Sequence, residues 1–300
     1  MGTTVMSAFG RAALRAMFAV SIGGVAVCAQ AADMQALDET ELADVRGSNG
    51  IAFNLVNFSL AGPLSLTYTS PNGASLSLSN LALSRSDDPD ATFSDPYTFK
   101  LVGRPGLADA MQLSEPLNAN GLLKWQFAAD WRVQADGITH DGGALVINDL
   151  VSRAGQLTLT TPATAGVDGI AFGLALNLDI GDVLLRPRGR ADATEQLQLH
   201  GIRLGAAAED GTPLGTPWAL ADASLQPGII NAVTDADGKS SLHVGIGWPT
   251  TTAGAPIGSL VIDNTSFKSD MLPGGQMDLG SSRIGTMQIQ YLDVKLRPGL

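Results

Sequence analysis

The stretch Leu123-Lys124-Trp125-Gln126-Phe127-Ala128-Ala129-Asp130-Trp131-Arg132-Val133 decides the fold. Every odd position is apolar, while Lys124, Gln126, Asp130 and Arg132 take even ones. Side chains of a β-strand point alternately to opposite faces, so this reads as a strand with one buried and one solvated face. A register slip of one residue would bury the charges and expose both tryptophans. The same period runs through Ile51, Phe53 and Leu55, through Leu64, Leu66 and Tyr68, through Ile170 to Ile180, and through Leu242, Val244, Ile246 and Trp248. Turn residues punctuate the runs at Pro71-Asn72-Gly73, Asp136-Gly137, Asp141-Gly142-Gly143, Asp210-Gly211 and Asp237-Gly238.

A looser repeat overlies the alternation. Leu76, Leu78, Leu81 and Leu83 are spaced two, three and two residues apart. Leu197, Leu199, Ile202 and Leu204 share that spacing, as do Ile289, Tyr291, Val294 and Leu296. Gly143–Leu150 and Gly258–Ile262 are shorter relatives. A three-residue step keeps both halves on one face only if a bulge or corner absorbs the extra residue. The copies are unevenly spaced, which argues against a solenoid of fixed period. The expected fold is all-β: a large antiparallel sandwich, a flattened barrel or an irregular β-groove. Surface loops are expected at Ser84–Asp95, Pro162–Asp168, Gly205–Pro217 and Thr250–Pro256.

The N-terminus reads differently. Arg11 and Arg15 precede an apolar run of 14 residues, Ala16–Ala29, and Ala29-Gln30-Ala31 supplies a small-x-small cleavage site. This is the pattern of a signal peptide over residues 1–31, and it is too short to stay in a bilayer as a helix. Cys28, the one cysteine, leaves with it, and Val27 before it is larger than a lipoprotein site prefers. Residues 32–50 read as a short helical segment. Asp38 and Glu41 form a capping box, Leu37, Leu42 and Val45 share a face, and Gly47 and Gly50 end it. Residues 51–300 then form a single β-rich domain.

The remaining chemistry narrows the function. After cleavage 16 basic side chains face 29 acidic ones, a net charge of −13. That excludes nucleic acid and anionic headgroups as natural partners. His140, His200 and His243 are far apart in sequence, and there is no nucleophile elbow or dinucleotide loop, so neither catalysis nor a cofactor is expected. Asp87-Asp88-Pro89-Asp90 with Asp95, and Asp235-Ala236-Asp237-Gly238, could offer oxygen ligands to calcium, but turn chemistry accounts for both without metal. Trp125 and Trp131 on one strand face could stack on sugar rings, but filling the core is the more economical role.

The segment Met34-Gln35-Ala36-Leu37-Asp38-Glu39-Thr40-Glu41-Leu42-Ala43-Asp44-Val45-Arg46-Gly47 resembles a motif, LDxxELxxVxG, that opens an uncharacterised family of secreted proteobacterial β-rich proteins, some of them associated with pilus systems. The resemblance implies export and a β-rich body, and it supplies no catalytic residues. The expected function is therefore that of an exported structural or interaction protein of the bacterial cell envelope, pilus-associated or adhesive in its finer form. Its expected partner is another envelope or surface protein, and its location is periplasm, outer-membrane surface or medium. An outer-membrane barrel and a carbohydrate-binding module are the alternatives. The scarcity of tyrosine and the Pro298-Gly299-Leu300 ending disfavour membrane insertion. Mass spectrometry of the exported chain should find Ala32 at its N-terminus; a mature form beginning at a lipid-modified Cys28 would overturn the cleavage site.

Overall fold

The computed structural model describes residues 50–70, 73–88, 90, 95–164, 166–248 and 254–296. The chain divides into Met1–Ser48 and Asn49–Leu300, and all described residues belong to the second unit. The expected signal peptide and helical segment lie outside them, except Gly50, which opens the first strand instead of ending a helix.

The described residues hold eighteen strands and no helix. They are β1 (Gly50–Phe53), β2 (Ser59–Ala61), β3 (Leu66–Thr69), β4 (Ser75–Arg85), β5 (Tyr97–Val102), β6 (Ala110–Ser114), β7 (Trp125–Ala135), β8 (Ile138–Ser152) and β9 (Gln156–Thr160). Then follow β10 (Ile170–Leu176), β11 (Leu178–Arg186), β12 (Gln196–Ala206), β13 (Trp218–Ala221), β14 (Gly228–Thr234), β15 (Ser240–Gly247), β16 (Gly258–Lys268), β17 (Gln276–Met287) and β18 (Tyr291–Leu296).

Two antiparallel sheets result. One runs β1-β5-β6-β9-β10-β14-β15-β18, with β13 also on β10. The other runs β17-β16-β12-β11-β8-β7-β4-β2, with β3 also on β4. Among the described residues the two sheets do not join through their end strands, so the arrangement is a sandwich and no barrel closes. Of the architectures open from sequence, the antiparallel sandwich is the one that forms.

The connectivity has a simple rule. The chain visits each sheet as a hairpin and then changes sheet, as in β7-β8, then β9-β10, then β11-β12. A hairpin returns the chain to the end it came from. All sheet changes, such as 86–96, 115–124, 153–155 and 248–257, therefore fall along one edge of the sandwich. All hairpin turns, such as 136–137, 187–195, 235–239 and 269–275, fall along the other. We call these the crossing edge and the hairpin edge.

The turn chemistry follows. Asp136 and Gly137, at φ 52° and 76°, form the two-residue turn between β7 and β8 that right-twisted strands favour. Asp235–Lys239 closes β14 onto β15, with the Gly238 N–H donating to the Asp235 carbonyl. Asp141-Gly142-Gly143 is not a turn, as its composition suggests, but lies inside β8. There the register slips between Trp131 and Arg132, and the Trp131 ring lies so close over Gly142 that any Cβ would collide with it.

The three-residue steps are absorbed as the spacing requires. In β4, Asn80 takes φ 51°, and two residues, Asn80 and Leu81, oppose Ala129. In β8 and β12 the step falls at Asp149 (φ 52°) and Gly201 (φ 64°). These two flank Gly181 of β11 in one row, so Leu150, Ile180 and Ile202 stay in register beyond it. Glycine is needed at 201, since a Cβ would lie 2.4 Å from an Asp263 carboxylate oxygen. The copy at Ile289–Leu296 behaves differently. Leu292, Val294 and Leu296 alternate regularly opposite β15, and Tyr291 is exposed.

The apolar faces of the two sheets look toward each other. Near the crossing edge Trp125, Ile202 and Ile246 are buried, and within the first sheet Phe172, Ala221 and Ile246 form a cluster flanked by Leu159, Leu174, Ile230 and Trp248. The two sheets touch where the Trp218 ring lies against Gly258. The Trp218 indole N–H donates to the Pro256 carbonyl (2.9 Å) and that of Trp248 to Leu220 (2.8 Å), so the buried Trp218 and the half-buried Trp248 leave no orphaned donor. Phe58 meets Trp125 edge-on at 5.9 Å. Trp125, only 9% exposed, is thus core. Trp125→Ala should cost about 3–5 kcal/mol, read as a drop in denaturant midpoint at constant slope. An unchanged midpoint would mean that the odd face of β7 is not the core.

Candidate functional site

Toward the hairpin edge apolar side chains of both inner faces are exposed. In one sheet the inner face that is buried at Trp125 and Ile202 becomes exposed at Leu185 (40%); in the other, Leu101 (58%) and Met111 (43%) are exposed in the same cross-strand row as the buried Phe172. Leu185, Leu197, Phe267 and Met277 stand opposite one another across β11, β12, β16 and β17, forming one wall. Leu101 and Met111, paired across β5 and β6, belong to the other. The result is an apolar cleft between the exposed parts of the two inner faces. Leu185 and Met111 lie on inner strands of their sheets, so their exposure is not an edge effect.

A polar cluster sits near the crossing edge. Glu115, just after β6, accepts a short hydrogen bond from the Ser152 hydroxyl of β8 and so ties one sheet to the other. It also lies against Gly155, where a Cβ would overlap its carboxylate. Burial pushes its pKa up from the ordinary 4.5, and the bonds from Ser152 and the Gly155 backbone oppose that only in part. Nearby, burial pushes the Tyr97 hydroxyl up to about 12, although its hydrogen bond with Trp125 works the other way. Arg85, 6% exposed, is held by Asp87 at 2.5 Å. Asn118 completes the cluster: its side chain bonds Leu123 through both amide atoms, and its backbone N–H donates to Asp95.

A recess of about 580 Å³ lies at the hairpin edge among Asn80, Asp130, Trp131, Asp141 and the 187–191 turn. Its charges are mutually satisfied. Asp130 accepts from Asn80 (2.8 Å) and Arg190 (2.7 Å), and Arg132 pairs with Asp141 (2.6 Å). Desolvation opposes the Asp130 charge, but the bonds from Asn80 and Arg190 outweigh it and hold the carboxyl below its ordinary range. Arg188 is engaged by Asp270 and Glu195.

The residues singled out from sequence do not converge. His140 lies exposed in β8. His200 meets Asp182 at 2.8 Å in one sheet, and His243 meets Asn231 and Asp293 in the other. Asp87 holds Arg85, Asp88 accepts from the Asp90 N–H, and Asp95 accepts from Asn118. Asp235 and Asp237 belong to a hairpin turn. Among the described residues no group of three or more His, Cys, Asp or Glu side chains could hold a metal. The two-tryptophan platform does not form, because Trp125 is buried while Trp131 borders the recess. The Glu115–Ser152 contact and the Asp130–Arg190 pair were not foreseen, since no local pattern marks partners 37 and 60 residues apart. The chain matches no known family, no curated protein and no solved structure.

Glu115 makes stability depend on pH. Its folded pKa is raised, so the folded state holds the proton more tightly than the unfolded one. This favours folding at acid pH, and the advantage is lost as pH rises above 4.5. Glu115→Gln keeps a partner for Ser152 without the charge. It should be more stable than the parent at pH 7, with the gap closing as pH falls through 4.5. A variant destabilised equally at both pH values would show that the charged carboxylate itself holds the crossing edge.

Proposed function

We propose that this chain is an exported interaction protein of the bacterial cell envelope, which works by presenting its open apolar cleft to another envelope or surface protein. The observation that carries this reading is the exposed inner wall at Leu101, Met111, Leu185 and Phe267. Contiguous exposed apolar surface of this kind, rimmed by polar residues, marks interaction sites more often than idle surface. The signal-peptide pattern and the resemblance of Met34–Ile51 to exported β-rich proteins support a site of action outside the cytoplasm. In its finer form the role is pilus-associated or adhesive, and it rests on that resemblance.

Two observations weigh against the alternatives. Two sheets that do not close on one another among the described residues do not fit an outer-membrane barrel, which must close to satisfy its backbone in lipid. Burial of Trp125 removes half of the aromatic row that a sugar platform would need. The experiment is photo-crosslinking in cells, with the reactive group at Leu185 in the cleft or at Gln198 on the opposite face. The expected result is an adduct with an envelope protein from position 185 alone, in an extracytoplasmic fraction. A chain retained in the cytoplasm, or equal adducts from both positions, would overturn the reading.

A further inference from the structure

Strand β17 is long, at 12 residues, and nearly all of it is exposed. Among the described residues nothing pairs with its outer side, because it ends its sheet. Natural proteins blunt such edges with proline, inward charge or short strands. This one has no proline, and its charges are one acid and one base, Asp278 and Arg283.

The distribution of those residues is self-complementary. Leu279 is an extra residue in the pairing with β16: Gly280 opposes Thr265 and Asp278 opposes Ser266, with Leu279 unmatched. The bulge shifts the alternation by one. Met277 and Ile284, an odd number of residues apart, therefore both lie on the apolar inner face, opposite Phe267 and Leu260. Asp278 and Arg283 both lie on the outer face, opposite Ser266 and Val261. If β17 of one copy runs antiparallel to β17 of another about a two-fold axis, Met277 meets Ile284 and Asp278 meets Arg283, each twice. The inner wall of the cleft then continues from one copy into the next.

The geometry points to a homodimer joined through β17, with two reciprocal Asp278–Arg283 pairs and a sheet continuous across the two-fold. A second copy of this chain is the partner because one strand carries both members of each pair in mirror order, as an isologous contact requires. Opposite charges directly across an antiparallel pair favour it, and like charges there disfavour it. Beyond Ile284, Gly211 packs against Gly285, and Arg283 donates to the Gly211 carbonyl, so the open part of the edge is Met277–Ile284.

Sedimentation velocity of the mature chain over a wide concentration range tests this. The parent should be a dimer at high concentration. Arg283→Asp should weaken the dimer by about tenfold or more, and Asp278→Arg together with Arg283→Asp should restore it. Arg283 loses its bond to Gly211 in both variants, so recovery in the double variant separates the intermolecular pair from that bond. Far-UV circular dichroism verifies that each variant is folded. Independently, Asp278→Cys combined with Arg283→Cys should give a disulfide-linked dimer on mild oxidation, since residues opposed across an antiparallel pair are within disulfide reach. A chain that is monomeric throughout, a dimer insensitive to Arg283→Asp, or a double-cysteine variant that does not cross-link would overturn the proposal.

Discussion

Burial along the crossing edge is the interaction on which the rest depends. Every change of sheet among the described residues occurs there, and contacts that hold the walls together fall there too: Trp218 over Gly258 and onto the Pro256 carbonyl, Trp125 with Tyr97, and Glu115 with Ser152. An expected cysteine-free mature chain has no disulfide to share this task. The Glu115–Ser152 bond is the polar counterpart of that burial. It ties the segment after β6 to the end of β8 in the other sheet. There an unpaired carboxyl would be most costly, and its raised pKa records that cost.

The same rule explains why the cleft opens where it does. Hairpin turns tie neighbouring strands within one sheet and add nothing between sheets. Moving from Ile202 toward Leu197 along β12, or from Ile180 toward Leu185 along β11, each inner side chain lies farther from a sheet change. The aligned irregularity at Asp149, Gly181 and Gly201 sits between these two regimes. It places polar residues on the outer face on both sides of the step and keeps the inner face apolar on both. The bend is thus accommodated without a buried polar group.

Much of this was legible in the sequence. Period-two alternation in Leu123–Val133 and Ile170–Ile180 fixes which face is apolar, and Asp136-Gly137 names its own turn type. The spacing of Leu76–Leu83 and Leu197–Leu204 implies an inserted residue, and Asn80 and Gly201 are those residues. What stayed hidden is non-local. Alternation is satisfied equally by a sandwich, a barrel or a groove, because it records the polarity of a face and not what covers that face. The copy at Ile289–Leu296 misleads for a related reason. Ile289 lies in a sheet change, and the spacing there is coincidence across a corner. Asp141-Gly142-Gly143 has turn composition, yet its glycines serve the close approach of the Trp131 ring and the Arg186 carbonyl. The candidate site was the least legible part, since the cleft is made by residues such as Leu101 and Leu185 that look like ordinary core until the sheets diverge.

Net charge sets a further condition on any contact between copies. A chain with a net charge of −11 repels its own kind over most of its surface. At physiological ionic strength that repulsion is screened beyond about 8 Å, so local charge decides whether two surfaces can touch. Between Met277 and Ile284 the acid and the base cancel, and the rest of the stretch is uncharged. A second strand meets no net charge along this edge, and among the described residues nothing pairs with its outer backbone groups. An exposed strand with both properties would invite indiscriminate association if its pattern were uniform. The bulge at Leu279 prevents this: a partner displaced by one residue would set Asp278 against Ser282 and Met277 against Arg283, losing both the ion pair and the apolar contact. Register is thereby specified by the same irregularity that creates the complementarity.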